Sequence, residues 1–370
     1  MRINLHYTLK NFFLLILLFL LTSCGYKDID KRIFAVAIGV EKPEKEKEKY
    51  SVLVKFAVPT ADIKAGQKDF IIIKESGDSV TEAIRMIKSE VDKEIDFSHA
   101  KMIILGESVL EEDLKETIDW FIRRRDIQKI AWIGVGSPGI EEILELKPKS
   151  ESLPANALFL SFGRIGTESP YIVTEYLFDL RKRLTEKGID PVLPIIKVND
   201  FKTYTIKTAV VINKENNIVK LNEEETKVMN ILLNRARKLD IKVVKDEDGK
   251  KEQYYIAADK ASVNYKIYDE SQPKVSVKVK LEGIVEESVN ELSSKQVKEY
   301  EKLAEKQMKE RIHRLLTLLQ EQNTDPIGLG LLYRANHVDK DDWSKWKEKY
   351  GNVEFDIKVD MTLQGTGLLK

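Results

Sequence analysis

Residues 353–363 read Val-Glu-Phe-Asp-Ile-Lys-Val-Asp-Met-Thr-Leu, a strict alternation of apolar and polar side chains. Successive side chains of a β-strand point to opposite faces, so this pattern predicts a half-buried strand. Residues 275–281, Val-Ser-Val-Lys-Val-Lys-Leu, alternate in the same way and predict a second strand with one wet face. Between these two strands, apolar residues recur at helical spacing over 289–322, the longest such pattern in the chain. A helix of that length must lie across a sheet or against a partner.

Shorter patterns of both kinds continue towards the N-terminus. Apolar or alternating runs predict strands at residues 33–40, 52–58, 102–105 and 130–135, and a hairpin over 207–212 and 217–221. Helical periodicity predicts helices over 79–90, 110–124, 140–146, 171–184 and 223–239. Strands and helices in this order predict an α+β fold, α/β-like in its first half.

Composition and breaks in the pattern predict how the chain is divided. With 370 residues the chain has the length of two or three domains. The segment 188–194 contains Pro191 and Pro194, cannot continue a helix, and is interpreted as a domain exit. We therefore expect three serial domains, each a sheet packed with helices, over residues 24–198, 199–262 and 263–370. Residues 1–23 are interpreted as a separate, cleaved segment.

That first segment has the features of a bacterial lipoprotein signal. Ten apolar residues, 12–21, follow two positive charges, which suits a secretory signal and is too short for a spanning helix. The run ends Leu21-Thr22-Ser23-Cys24-Gly25, which looks like a lipobox. The thiol of Cys24, the only cysteine, would take a diacylglyceryl group, and acyl chains of the palmitate type would anchor the mature N-terminus to a membrane.

Charge and cysteine content exclude several classes of protein. Lys plus Arg and Asp plus Glu each number 61, which argues against a nucleic-acid binder. Removal of residues 1–23 leaves a net charge of −2, so the acyl chains rather than electrostatics would hold the domains at the membrane. A single cysteine supplies neither an intramolecular disulfide nor a cysteine-rich zinc site.

The motifs that suggest chemistry are weak. Residues 134–139 match G-x-G-x-x-G, but the helix that follows is short and lacks the acidic partner of a dinucleotide site, so Ser137 and Pro138 are interpreted as its N-cap and first residue. His6, His99, His313 and His337 have no metal-ligand spacing. Trp343 and Trp346, with Tyr350, form either a stacking platform or, more commonly, the cap of a core. No catalytic, metal or cofactor-binding residues are predicted; the lipid on Cys24 is the only attached group.

The C-terminal third resembles the closing segment of the Ger(x)C family, the lipoprotein C subunits of spore nutrient germinant receptors. The resemblance rests on Asp325-Pro326-Ile327-Gly328-Leu329-Gly330, then Arg334, Trp343 and Trp346, the final strand and Gly365. One departure is Ile327, where the family often has an aromatic residue. Earlier segments agree in order and spacing: Asp30–Ile33 with Ala37–Val40, Phe97–Glu107, and Asp190-Pro191-Val192-Leu193-Pro194.

The resemblance implies three α/β-type domains without catalytic residues. It also implies lipid anchoring to the outer face of the spore inner membrane, beside an A subunit and a permease-like B subunit that is expected to hold the germinant, and no nucleic acid. Two alternatives stay open. A solute-binding lipoprotein of a transporter would have two lobes around a cleft, and a lipid-anchored hydrolase would need a nucleophile–base pair or a metal cluster.

Overall fold

The computed structural model describes residues 2–20, 28–43, 47–58, 70–112, 114–148, 154–162, 169–215, 217–236, 238–247, 250–269, 272–288, 297–337 and 341–364. Over these residues the chain forms two β-sheets packed with helices, which confirms the predicted α+β class. The first sheet is built from residues 32–221 and the second from residues 239–363.

Within the described ranges, the first sheet has nine strands. They are β1 (Arg32–Glu41), β2 (Tyr50–Ala57), β3 (Phe70–Gly77), β4 (Glu94–Asp96), β5 (Met102–Gly106), β6 (Trp132–Gly136), β7 (Val192–Val198), β8 (Tyr204–Ile212) and β9 (Ile218–Leu221). Their order is β3-β2-β1-β5-β6-β7-β8-β9, with β4 beside the start of β1. Parallel pairing joins β1, β5, β6 and β7, and antiparallel hairpins complete both sides.

Helices cover both faces of this sheet. They are α2 (Val80–Ser89), α3 (Leu114–Arg123), α4 (Glu141–Glu145), α5 (Pro154–Phe162) and α6 (Leu177–Thr185), after an N-terminal α1 (Arg2–Leu20). Helices α2, α3 and α6 pack on one face and α4 and α5 on the other. Helix α2 shows why such elements form where they do. Its N-cap Ser79 accepts the N–H of Glu82 at 3.1 Å, and its buried residues recur at helical spacing.

The second sheet packs against one long helix. Strands β10 (Leu239–Glu247), β11 (Lys250–Tyr268) and β12 (Lys274–Ser288) are antiparallel neighbours, and β13 (Glu354–Leu363) runs parallel to β12. Helix α8 (Val297–Glu321) crosses between β12 and β13 and buries Tyr300, Met308, Ile312 and Leu319. With α7 (Glu223–Leu232), α9 (Leu329–Asn336) and α10 (Asp342–Tyr350), it completes this core.

Side chains of α8 also cap both edges of the second sheet. Glu301 and Glu305 accept the N–H groups of Leu363 and Met361 on edge strand β13, at 2.8 and 2.9 Å. On the opposite edge, Gln307 pairs with the backbone of Val244 on β10. Edge strands offer unpaired backbone groups to other chains, so these contacts protect the sheet from further strand addition.

Two predicted helices are shorter than the periodicity suggested. The prediction of a helix over 171–184 is wrong before Leu177: the carbonyl of Glu175 accepts the N–H of Ile133, and Leu177 donates to Ala131, so this stretch pairs with the segment that enters β6. The prediction over 223–239 is wrong after Leu232. There Asn234 takes a positive φ of 56° and the chain turns into β10.

Other predicted bounds shift as well. Helix α4 begins at Glu141, so Ser137 and Pro138 lie in the preceding loop and are not its N-cap and first residue. The described part of the long helix begins at Val297, and residues 289–296 lie outside the described residues. Strand pairing divides the predicted middle domain, 199–262, between the two sheets: β8 and β9 join the first, β10 and β11 the second. Division into three independently folding units stays a prediction.

Candidate functional site at the junction of the two sheets

Two segments far apart in the sequence meet where the sheets join. Asp190 precedes β7, and Asp325 lies in the turn between α8 and α9. The backbone N–H of Asp190 donates to the carbonyl of Asp325 at 2.8 Å, and the carboxylate of Asp190 accepts the N–H of Asp325 at 2.7 Å. Both acids are buried, with 8% and 6% of their surface exposed. The pair therefore forms a two-way link between the sheets.

The carboxylate of Asp325 organises the start of α9. Its Oδ1 accepts the N–H groups of Gly328 and Leu329 at 2.8 and 3.0 Å, and its Oδ2 accepts that of Gly330 at 2.7 Å. The first N–H groups of a helix have no partner within the helix, and a carboxylate satisfies them well. Asp325 is thus a buried residue whose side chain caps the N-terminus of α9.

Glycines in the Asp325–Gly330 segment allow its backbone to approach the backbone at Gly188 closely. Gly328 has a φ of +87°, which favours glycine. A Cβ on Gly330 would lie 2.7 Å from the Cα of Gly188 and 2.7 Å from the Trp346 ring. Leu331 donates to the carbonyl of Gly188 at 2.8 Å across the same contact. Gly188 and Gly330 therefore let two backbones touch where side chains would hold them apart.

Burial changes the acidity of the junction. Loss of water around the carboxyl of Asp325 raises its pKa to about 7, although three N–H donors act in the other direction. Burial likewise raises the pKa of Asp190. Arg183, a buried cation at the junction, uses its Nη1 to donate to the carbonyls of Asp190 and Pro326 at 2.9 and 2.7 Å. It therefore holds the junction's backbone together instead of pairing with either carboxylate.

Arg183 also belongs to a buried ion cluster. Its Nε lies 2.7 Å from Oε1 of Glu175, and Nη1 of Arg235 lies 2.8 Å from Oε2 of the same residue. Glu175 is fully buried. Because Arg235 follows α7 and Arg183 lies in α6, this carboxylate joins the first sheet's helices to the chain that leads into the second sheet. Loss of the Glu175 carboxylate would leave the buried charge of Arg183 uncompensated.

Aromatic side chains pack behind the junction. Trp346 and Tyr350 are 2% and 5% exposed, and the ring of Tyr333 stacks on Trp346 at a centroid distance of 5.1 Å. The Tyr350 hydroxyl donates to the carbonyl of Thr324 at 2.7 Å. Trp346 and Tyr350 thus cap a core, as the commoner interpretation of this motif predicts. Trp343 is only half-buried.

The remaining sequence candidates are dispersed. His99 packs edge-on against Phe34, His337 stacks on Tyr333, and His313 lies exposed on α8. Among the described residues, no group of three or more His, Cys, Asp or Glu side chains is placed to hold a metal ion. No helix in the described ranges is long and apolar enough to cross a membrane. Cys24 lies outside the described residues.

Sequence reasoning missed Glu175, Arg183 and Arg235. Arg183 falls within a predicted helix whose face carries other charges, so its sequence context resembles a solvated surface. Glu175 falls inside the same predicted helix, so nothing in the sequence marks it as the buried partner of two arginines. Both motifs, Asp190–Pro194 and Asp325–Gly330, can be recognised in the sequence, but no local pattern indicates that they contact each other.

The fold and the junction define an α+β protein with two sheets. The motifs Asp190–Pro194 and Asp325–Gly330 join these sheets through hydrogen bonds between Asp190 and Asp325. A family model described as the N-terminal domain of spore germination proteins matches residues 25–198, and one described as the B3/GerAC-like C-terminal domain matches residues 206–367. The chain belongs to this family, the Ger(x)C spore germination proteins. The first match ends at residue 198 and the second begins at residue 206.

Individual relatives agree with this assignment. The chain is 22% identical to the putative spore germination protein YfkR of Bacillus subtilis strain 168 over 96% of each chain. It is 21% identical to spore germination protein GerQC of Bacillus cereus, over 82% of this chain and 84% of that one. The crystal structure of the GerBC protein matches with a TM-score of 0.55 and 19% identity, over 89% of this chain and 98% of that one. The last comparison supports the fold.

Proposed function

We propose that this protein is the C subunit of a spore nutrient germinant receptor. It is anchored by lipid on Cys24 to the outer face of the spore inner membrane and works without catalysis, in assembly and signalling with the A and B subunits. The observation that carries the proposal is membership of the Ger(x)C family over nearly the whole chain. The names of two relatives, both spore germination proteins, support the same role.

The structural role of the two family motifs, Asp190–Pro194 and Asp325–Gly330, supports a binding and assembly function. Asp190 and the Asp325–Gly330 segment are buried, and their polar groups bond to each other and to backbone. Side chains used in this way set the relative orientation of two sheets. An assembly subunit needs such a fixed orientation, because its partner surfaces then keep a constant relative position.

The lipid anchor is supported by sequence and by the position of the first strand. Cys24 ends a lipobox, and the described chain resumes at Asp28 with β1 beginning at Arg32. Helix α1, which precedes the cysteine, has exposed apolar side chains, among them Phe12 and Phe13. Such a helix suits a lipid environment before processing.

Affinity purification of the tagged protein from detergent-solubilised spore membranes tests the proposal. We expect co-purification of an A and a B subunit, and we expect deletion of the gene to abolish the response to one nutrient class while germination by exogenous calcium dipicolinate persists. Co-purification of transporter components would favour the solute-binding lipoprotein instead. Normal nutrient germination in a clean deletion strain would contradict the receptor role.

A further inference from the structure

The end of the first sheet at which β1 begins carries exposed apolar side chains. Strands β1, β5 and β6 are parallel, so the segments that lead into them lie at this one end. Ile29, shortly before β1, and Ile130, shortly before β6, are 68% and 61% exposed. Phe178, at the start of α6, is 44% exposed. Large apolar side chains grouped on a surface indicate contact with another apolar phase.

Ile130 and Phe178 lie side by side on two adjacent backbone segments. The N–H of Leu177 donates to the carbonyl of Ala131 at 2.9 Å. The N–H of Phe178 donates to the carbonyl of Lys129 at 3.0 Å. These two bonds bring the start of α6 against the segment that enters β6, so the two exposed apolar residues form one surface.

Contacts from the protein interior hold both residues in place. The ring of Phe178 stacks on Tyr176 with 5.5 Å between centroids, and Tyr176 stacks on Trp132 at 3.9 Å. The loop that carries Ile130 is fixed by Lys129, whose ammonium donates to three backbone carbonyls of the preceding turn at 2.6 to 3.3 Å. A surface that is already ordered loses little conformational entropy when it docks.

Two exposed arginines flank the apolar pair. Arg181 follows Phe178 by three residues in α6, which places both on the same side of that helix, and Arg125 lies in the loop before Ile130. Among the described residues, neither arginine forms an ion pair. An arginine beside apolar residues reaches phosphate groups while its stem stays on the apolar surface. Asp179 lies next to Phe178, so charge alone would not attract a bilayer, and the apolar pair carries the contact.

The anchored N-terminus enters the fold at the same end of the sheet. Asp28, where the described chain resumes, is only four residues after Cys24 in the sequence. Four residues span at most about 14 Å when fully extended. A lipid on Cys24 therefore keeps the start of β1 close to the bilayer surface. Strand β1 has ten residues and is about 33 Å long, so the opposite end of the sheet is free of this constraint.

We propose that this end of the first sheet rests on the lipid bilayer. Ile29, Ile130 and Phe178 lie in the interfacial layer, and Arg125 and Arg181 contact lipid phosphates. The inference rests on the lipid anchor of the proposed function and adds an orientation to it. The acyl chains hold the protein at the membrane, and this surface fixes which side of the protein faces the lipid.

Fluorescent labels at single cysteines test this orientation. Cys24 is the only cysteine and would carry the lipid as a thioether, so Ile130→Cys and Phe178→Cys each add one free thiol for a nitrobenzoxadiazole maleimide. The lipidated chain is reconstituted into vesicles of phosphatidylcholine and phosphatidylglycerol, with and without nitroxide-labelled lipid. We expect both labels to lose most of their emission to the nitroxide, because interfacial apolar groups lie about 5–10 Å into the headgroup–acyl boundary.

Phe201→Cys is the matched control for position. Phe201 is also an exposed apolar residue, with 89% of its surface accessible. It lies in the turn after β7, and because β7 runs parallel to β6 this turn is at the opposite end of the sheet. We expect its label to keep its emission in the presence of the nitroxide lipid.

A charge reversal tests the two arginines. Arg125→Glu with Arg181→Glu, made in the Ile130→Cys chain, places carboxylates beside lipid phosphates, and we expect it to restore most of the emission. Lys309→Glu with Arg314→Glu, at exposed positions of α8, changes the net charge equally and is expected to leave the quenching as it was. Circular dichroism of each variant shows that its fold is retained.

Quenching at positions 130 and 178 without quenching at position 201 supports the proposal. Full emission from both reporters, the result expected if a protein partner covers this surface, would overturn it, as would equal quenching at position 201. Quenching that survives the arginine reversal would contradict the phosphate contacts. Labelling of the wild-type chain would reveal a free thiol at Cys24 and so contradict the lipid anchor itself, which separates failure of the proposed function from failure of the orientation.

Discussion

Asp190 and Asp325, 135 positions apart, exchange two hydrogen bonds across the junction of the two sheets. One bond is between backbone groups, and the other uses the carboxylate of Asp190. Asp325 in turn gives its own carboxylate to the first N–H groups of α9. The orientation of the sheets is thus coupled to the formation of a helix cap, because one acidic residue takes part in both.

The buried carboxyl of Asp325 makes stability depend on pH. Its pKa in the folded state is raised to about 7, against about 3.9 in an unfolded chain. Between these values the folded state keeps a proton that the unfolded state has lost, so this group's contribution to stability falls as pH rises from about 4 to 7. Asp325→Asn cannot titrate. Wild-type stability therefore falls from about pH 4 to 7 while that of the variant does not. We expect the difference in free energy of unfolding, variant minus wild type, to increase by roughly 4 kcal/mol across this window.

Urea denaturation at several pH values between 4.5 and 7.5, followed by circular dichroism, measures this difference. The loss of the helix cap in Asp325→Asn shifts the whole curve but adds no slope. Asp200→Asn, at the exposed β7–β8 turn, is the matched control and follows wild type. Parallel curves for wild type and Asp325→Asn would show that the carboxyl of Asp325 titrates normally.

Gly330 is required by close packing, so Gly330→Ala is expected to lower the free energy of unfolding by about 3 kcal/mol. The new methyl group would lie 2.7 Å from the Cα of Gly188, a backbone atom that cannot move without shifting the junction. Gly351→Ala is the control, since nothing lies within 4 Å of a Cβ there and its φ is −62°. Thermal and urea denaturation of both variants check the contrast, and equal effects would contradict it.

Glu301 and Glu305 of α8 cover the edge of β13, so their removal is expected to make the protein self-associate. In the double variant Glu301→Ala, Glu305→Ala, the N–H groups of Met361 and Leu363 lose their acceptors. We expect a loss of about 2 kcal/mol in stability and self-association through the uncovered edge. Sedimentation velocity over a range of concentrations measures the second effect. Glu310→Ala, exposed on the same helix, is expected to remain monodisperse if the wild-type protein is.

The lipobox predicts the outcome of Cys24→Ala. Without the thiol no diacylglyceryl group is attached, and we expect the protein to be misprocessed or released from membranes while its domains stay folded. Fractionation of membranes and mass spectrometry of the N-terminal peptide provide the measurement. Ser23→Ala keeps a small residue before the cysteine and serves as the control. Membrane partitioning of Cys24→Ala equal to that of wild type would count against the lipobox.

Much of the secondary structure could be predicted from local patterns. Helix α2 forms within the predicted range 79–90 and buries residues at helical spacing, and β13 follows the alternation of residues 353–363. Here the hydrophobic period and the capping residue agree with the tertiary environment. The predictions were wrong where tertiary contacts override the pattern. Residues 171–176 have helical periodicity, but their backbone pairs with the strand beside them.

Sequence reasoning identified the two motifs of the candidate site but not the contact between them. The segments containing Asp190 and Asp325 were both identified through a family resemblance, as separate signatures. Their hydrogen bonds to each other depend on long-range packing, which no local spacing encodes. Glu175 and Arg183 were missed because an ion pair buried between elements has the same residue types as one on a wet helix face.

The sequence by itself determined the α+β class, most strands and helices, the family, and the prediction of a lipid anchor at Cys24. These depend on local periodicity and on short motifs, which act over a few residues. Only the tertiary structure decided that strands after residue 199 divide between two sheets, that Gly188 meets Gly330, and that Ile130 lies beside Phe178. Those relationships arise from burial of surfaces far apart in the chain, which a linear pattern does not specify.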